Sequence, residues 1–363
     1  MNDEPVRILL LRPDRQVWRA AAEVGLRAWP LTGDDLRSAP VEELLVATAR
    51  THRVAHILYF GRSPALHRAV ERASRTVFPA RARALDRLRD PAVLRRILNQ
   101  SGVSCVEAVT VTPPDSARAW LENLTLPRVV KTVAEHRVDI VRDADAVARW
   151  ADGSPPMPCV IEEFLEGPRL IVESFSHEGM HHVVGVTGGA GAAPPGADLL
   201  YPAALSQRDA AAVRAVVRAV LDLAGHEEGP VRTDVVLTAD GPRVAAVDVP
   251  PPVGAAPRLV RAATGRHRET EILLRLAGRP VPRPLAARCA ALAHLDDGDR
   301  EPPRAEAVAA LRATEHVHDV RIVEGPHGRG DAEVIVRAAS PHAAARRLAT
   351  VRERWATLCR ARR

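Results

Sequence analysis

Of the 51 basic residues in this chain one is a lysine, Lys131, and the other 50 are arginine. A composition biased toward arginine explains the fifty. The exception stands out because an ammonium is a compact point charge suited to phosphate, whereas a guanidinium is a planar fork. Lys131 closes the apolar run Val129-Val130, at a strand end; an ordinary solvated lysine is the competing reading. Two acids form the second candidate. Asp234 and Asp248 lie on strands that face each other around a turn at Asp240-Gly241. An odd-length connection centred on Gly241 sets them opposite on one face, close enough to share a hard cation. An even-length connection splits them between faces and leaves two unrelated surface acids.

Other reactive types carry less. His177 and His181 would chelate on a helix, but Gly179 between them argues for a turn. His316 and His318 share one face of a strand, where satisfied or exposed imidazoles are the plainer reading. Cys105, Cys159, Cys289 and Cys359 are scattered without a C-x-x-C pair, so neither structural zinc nor a disulfide framework has support. No G-x-S-x-G, P-loop or H-E-x-x-H anchors a hydrolase or Walker-type reading.

The elements that must position these residues follow from periodicity. Residues 6–11 and 55–60 read as buried strands, Ala28–Leu31 as a further strand, and stretches around 19–27, 41–51 and 64–74 as helices. That alternation predicts a small parallel α/β domain. No G-x-G-x-x-G follows its first strand, so it is no dinucleotide site. Downstream, a helix over Pro91–Gln100 stops at Gly102. Strands are expected at 106–111, 128–133 and 159–163, with helices at 116–123 and 143–150 between them. Strands at 168–176 and 181–187 flank the turn His177-Glu178-Gly179, and Gly188–Asp198 reads as a mobile connection. Gln207–Ala224 is the clearest helix: Val213, Val216, Val217, Val220 and Leu221 recur at helical spacing between a Ser206/Asp209 capping box and Gly225. Val231–Leu237 and Arg243–Val249 form a hairpin. A last α+β unit has strands at 318–323 and 332–338 and a helix bearing Leu348, Val351, Trp355 and Leu358.

The order of several short motifs resembles the ATP-grasp superfamily, and within it the L-amino-acid ligases, over roughly residues 85–345. Leu126-Pro127-Arg128-Val129-Val130-Lys131 is similar to the strand that ends in a phosphate-binding lysine. Ile161-Glu162-Glu163-Phe164-Leu165-Glu166-Gly167 is similar to the hinge strand that holds adenine. Tyr201–Ser206 precedes a long helix, as in those ligases. Gly229–Asp234, Gly241-Pro242-Arg243 and Ala262–Gly265 fit the metal-binding hairpin and its sequel, and Asp331–Ala345 resembles the small C-terminal element. The resemblance implies an α/β ATP-grasp fold in three parts: an N-terminal parallel α/β domain over 1–88, an ATP-grasp domain over 89–275 with a lid at about 120–190, and a C-terminal α+β domain over 276–363. It implies ATP-dependent joining of a carboxylate to an amine through an acyl phosphate, with an amino acid as the carboxylate. Lys131 would hold phosphate, Glu162, Glu163, Phe164 and Leu165 adenine, and Asp234 with Asp248 Mg2+ or, in its place, Mn2+. A homodimer fits the same resemblance.

The chain also departs from the family pattern. The family's phosphate loop is glycine-rich, whereas here it reads Thr132-Val133-Ala134-Glu135-His136-Arg137-Val138-Asp139, with fewer open amides and two acids. Pro91 stands where a first ATP-binding lysine is expected, and Arg169 where a ribose-binding glutamate is. The family's Glu-x-Asn-x-Arg reads Ala246, Asp248, Pro250 or, in the other alignment, Asp248, Pro250, Pro252. The arginine that steadies the acyl phosphate is then missing, and Arg258 or Arg232 are the candidates to replace it. These departures keep a second reading open: an ATP-grasp relative without catalysis, serving as a binding or partner subunit.

Composition sets the outer bounds. A chain of 363 residues, 46% hydrophobic and 26% charged, is globular and long enough for two or three domains. Its net charge of +6 could suit nucleic acid, but the basic residues are dispersed and only 3% are aromatic, which leaves few stacking platforms. Acids follow Met1 where a signal peptide carries bases, and no apolar run approaches a membrane span, so a soluble cytoplasmic protein is expected.

Overall fold

The computed structural model describes residues 4–37, 40–61, 63–112, 114–133, 137–153, 155–189, 191–193, 197–248, 254–281, 288–295, 305–324 and 330–360. In chain order the elements are β1 (Arg7–Leu11), α1 (Arg15–Glu23), β2 (Arg27–Leu31), α2 (Val41–Thr51), β3 (His56–Leu58) and α3 (Pro64–Val77). Next come α4 (Pro79–Arg89), α5 (Pro91–Ser101), β4 (Ala108–Val111), α6 (Pro114–Asn123), β5 (Arg128–Thr132), β6 (Val138–Val141), α7 (Ala144–Asp152) and β7 (Cys159–Glu163). They are followed by β8 (Arg169–His177), β9 (Met180–Gly188), β10 (Leu199–Tyr201), α8 (Gln207–Ala224), β11 (Gly229–Thr238) and β12 (Gly241–Asp248). The chain ends with α9 (Ala255–Thr264), α10 (Arg268–Leu276), β13 (Cys289–Leu295), α11 (Ala305–Arg312), β14 (Val317–Glu324), β15 (Gly330–Ala338) and α12 (Pro341–Arg360). Among the described residues no helix is long and apolar enough to cross a membrane. The chain divides into two units: Met1–Pro79 with Gly185–Leu205 and Pro250–Arg363, and Ala80–Val184 with Ser206–Val249.

In the first unit, β1 lies between β2 and β3 in a parallel sheet, Leu9 facing Trp29 on one side and Ile57 on the other. The run Ile8–Leu11 is wholly buried, as a parallel strand covered on both faces must be. Asp14 caps α1 by accepting the Val17 N–H at 2.8 Å. The same unit holds β10, β13, β15 and β14 as antiparallel neighbours in that order. Their core joins Ala291, Ala293, Val334 and Val336 to Leu348, Val351 and Trp355 of α12.

In the second unit, β4, β7, β5 and β6 form a four-stranded antiparallel sheet in that order, packed on α6 and α7 through Leu121, Val130, Val147, Trp150 and Ile161. β12, β11 and β8 are antiparallel neighbours, with β9 beyond β8. The helix α8 packs on β11 and β12. Its Val213, Val217, Val220 and Leu221 are each no more than 1% exposed, and burial of each such side chain contributes about 1.5–3 kcal/mol. Ser206 accepts the Asp209 N–H at 3.1 Å, and Gly225, at φ 68°, closes the helix. β6 occupies part of the segment read from sequence as a loop; residues 134–136 of that segment lie outside the described residues.

Candidate functional site

β5 and β7 pair antiparallel, and Lys131 on β5 reaches the neighbouring residue Glu162 on β7. The Lys131 ammonium donates to Glu162 Oε2 at 2.6 Å and to the Ala245 carbonyl of β12 at 2.7 Å. Arg95, on α5, closes the cluster from the other side. Its Nε and Nη2 donate to the two Glu162 oxygens, each at 3.1 Å, and it also donates to the carbonyls of Val244 (2.9 Å) and Ser104 (3.3 Å). Ser104 Oγ in turn accepts the Val244 N–H at 2.6 Å. Lys131, Glu162 and Arg95 are all buried. Burial pushes the Lys131 ammonium below its ordinary pKa, an effect that the Glu162 carboxylate offsets only in part. The lysine is therefore a desolvated, carboxylate-paired cation and not a solvated surface one.

The hairpin connection decides where the two aspartates point. Thr238 pairs with Gly241, leaving the two-residue turn Ala239-Asp240. That even-length turn alone would put Asp234 and Asp248 on opposite faces. A bulge corrects it. Val235 pairs with Val244 but Asp234 pairs with Ala246, so Ala245 is the extra residue and the phase shifts by one. Asp234 and Asp248 then share a face as diagonal neighbours, Asp248 facing Arg232 and Asp234 facing Ala246, instead of standing directly opposite. Ala245, left unpaired by the ladder, is the residue whose carbonyl receives Lys131.

Each aspartate is engaged by a guanidinium. Arg232 forks onto Asp234 at 2.9 and 3.2 Å, and Arg89 donates to Asp248 at 3.0 Å. Glu173 of β8 is buried directly across from Arg232, which adds a third carboxylate to the same sheet face. An oxygen-only donor set of this kind suits a hard cation such as Mg2+, which one or two protein carboxylates together with phosphate oxygens ordinarily hold.

The hinge residues divide in two. Glu162 lies within the ladder, paired with Ala108 on one side and Val129 on the other, and the Glu163 N–H donates to the Glu107 carbonyl at 2.9 Å. β7 ends there, so Phe164 and Leu165 are the positions whose backbone leaves the sheet. Arg142 sits 5.4 Å from the centroid of the Phe164 ring. Gly167 follows at φ 141°, where an added Cβ would meet the Leu237 carbonyl oxygen at 2.2 Å, so only glycine lets the two backbones approach.

His177, His181 and Arg258 are structural in their surroundings. His177 pairs with Glu228 at 3.3 Å at the end of β8. His181 on β9 joins Ser176 Oγ at 2.7 Å and Asp222 of α8 at 3.1 Å. That Ser–His–Asp set ties the hairpin to α8; Ser176 is wholly buried and can meet no substrate. His316 precedes β14 at φ 68° and so does not share a strand face with His318. Arg258 belongs to the first unit, where it donates to Asp319 at 2.7 Å and to Glu333. Arg95, Ser104 and Glu173 carried no sequence signal. Arg95 is one arginine among fifty, and its helix reads as amphipathic with or without it.

No protein-family model matches the chain, and no curated protein matches it. Solved structures do. An L-amino acid ligase from Bacillus licheniformis superposes with a TM-score of 0.70 at 18% identity, covering 96% of this chain and 98% of that one. N5-carboxyaminoimidazole ribonucleotide synthetase from Thermotoga maritima gives 0.68 at 13% identity, over 96% and 98%. Carboxyaminoimidazole ribonucleotide synthase from Aspergillus clavatus, solved with ATP, gives 0.66 at 12%, over 97% and 99%. At these identities the likeness is one of architecture. The chain has the ATP-grasp fold.

Proposed function

We propose that this protein is an ATP-dependent carboxylate–amine ligase acting on an amino acid. The γ-phosphoryl group of ATP passes to the substrate carboxylate, and the amine then displaces phosphate from the acyl phosphate as the amide forms. The observation that carries this reading is the meeting of Lys131 with the bulged hairpin. The ammonium touches Ala245, and the same bulge brings Asp234 and Asp248 to one face. In this reading Lys131 holds phosphate once the nucleotide draws it from Glu162, Phe164 and Leu165 meet adenine beside Glu162 and Glu163, and Asp234 with Asp248 hold Mg2+ or Mn2+. Mg2+ would screen the triphosphate charge. Small carboxylates and amines are its partners.

A second reading is favoured by the ion pairs themselves. Glu162 already neutralises Lys131, and Arg232 and Arg89 already engage the two aspartates. This describes an ATP-grasp chain that binds without turning over. Thermal unfolding with ATP, with and without Mg2+, tests what the two readings share. At a ligand level one hundred times Kd, binding adds about 2.7 kcal/mol, a rise of several degrees. No stabilisation in either condition would contradict both. Stabilisation without amino-acid-dependent ADP release would favour the second.

A further inference from the structure

We propose that the first unit carries a binding site for a phosphoryl-bearing small molecule, in the cavity where Arg288, Arg337 and Arg347 converge with His316 and His318. The cavity measures about 400 Å³, room for a phosphomonoester, and no acidic side chain lines it. The five basic residues come from separate stretches of the unit. Arg288 immediately precedes β13, Arg337 is the penultimate residue of β15, and Arg347 is on α12. His316 and His318 bracket the first residue of β14.

Gathering three guanidiniums without a carboxylate partner costs free energy unless something else repays it. Among the described residues, no carboxylate pairs with any of the three guanidiniums. The acids nearby do not reach the three guanidiniums. Asp319 binds Arg258 and Arg321, and Glu315, largely exposed, meets His316 Nε2 at 3.0 Å. Arg337 Nε is buried and has no hydrogen-bond partner among the described residues, while its Nη2 lies 3.4 Å from His318 Nε2. Arg347 donates to the Arg337 carbonyl, which fixes that guanidinium at the cavity wall. His316 is held at φ 68°, in the left-handed region that costs a side-chain-bearing residue about 1–2 kcal/mol.

The chemistry of the lining selects the ligand. Guanidinium forks match the oxygens of a phosphoryl group bidentately, and imidazoles add donors once protonated. His318 is held below its ordinary pKa by burial first and then by Arg337, so a bound dianion would raise it and binding would take up protons near neutral pH. Inorganic phosphate and an organic phosphomonoester share this chemistry and are told apart by size, the cavity being larger than a lone phosphate fills.

Calorimetric titration of the full chain with glycerol 3-phosphate, inorganic phosphate and potassium chloride tests the assignment. The expected result is saturable binding of a phosphoryl ligand with proton uptake near neutral pH that fades as the pH rises toward 8. The affinity should fall at least tenfold in both Arg337→Gln and Arg288→Gln. Arg288 is exposed, so its variant should keep the parent melting temperature and separates binding from folding. Tighter binding of glycerol 3-phosphate assigns the site to organic phosphates, and tighter binding of inorganic phosphate assigns it to the free anion. Neither ligand binding at millimolar concentration, or variants that bind as the parent does, would overturn the proposal.

Discussion

Lys131 donates at 2.7 Å to the carbonyl of Ala245, the single residue of β12 that the ladder with β11 skips. Leaving Ala245 out of the ladder therefore does two things: it frees a carbonyl for the only lysine in the chain, and it keeps Asp248 on the face of Asp234. Inserting one alanine between Ala246 and Val247 should move Asp248 one step along the ladder and send it to the opposite face, while Ala245 keeps its place beside Lys131. The expected outcome is loss of the Mg2+-dependent part of ATP stabilisation, with any Mg2+-independent part retained. Melting curves with ATP, with and without Mg2+, read this directly. An undiminished Mg2+ effect in the insertion variant would show that the shared face is irrelevant to metal.

Glu162 is the counter-charge for both Lys131 and Arg95, and all three are buried. Glu162→Gln removes that charge while preserving shape, leaving two desolvated cations beside a neutral amide. Breaking a buried pair in this way costs about 3–5 kcal/mol. Urea unfolding should show a lowered midpoint at an unchanged slope. The double variant Arg95→Met/Glu162→Gln should recover part of the loss, because one orphaned cation is gone. Equal loss in the single and double variants would mean that the pair is not coupled.

Gly167 sits where any side chain collides with the Leu237 carbonyl, at a φ that L residues rarely adopt. Gly167→Ala should cost about 2 kcal/mol or more, since the obstacle is backbone. A melting temperature unchanged within a degree would show that the turn after β7 adjusts freely.

His226 is buried, and burial lowers its pKa from 6.5 to about 4. The unfolded chain thus binds a proton that the folded chain refuses between those values. Stability from this group is complete above about pH 6.5 and falls as the pH drops toward 4, by at most roughly 1.4 kcal/mol per pH unit. His226→Gln cannot titrate, so its unfolding free energy should decline less steeply than the parent's over that window. Parallel declines would assign the acid sensitivity to other groups.

The parts of this fold that are legible in the sequence are those where one local pattern dominates. α8 begins and ends where its cap, apolar stripe and glycine place it, and the β11–β12 hairpin follows from its turn. Register is another matter. The bulge at Ala245 has no compositional mark, because alanine serves equally in a ladder or outside it, so both phases of Asp234 and Asp248 remained open. β13 carries no sequence mark for a related reason: Cys-Ala-Ala-Leu-Ala-His-Leu has little β propensity, and it is a strand because β10 and β15 pair with it on both sides. Arg95 was invisible because a residue type used fifty times cannot mark its own buried member. The motif order, by contrast, pointed to the ATP-grasp fold that the solved structures share, since order survives where individual residues have changed.

The proposed joining of a carboxylate to an amine passes through an acyl phosphate, which hydroxylamine traps. The protein is incubated with Mg-ATP, a panel of amino acids and hydroxylamine, and hydroxamate and ADP are measured beside a Lys131→Ala variant. Equal amounts of hydroxamate and ADP are expected with at least one amino acid, reduced a hundredfold or more in the variant. ADP and hydroxamate at background level with every amino acid, or turnover unaltered by Lys131→Ala, would contradict it.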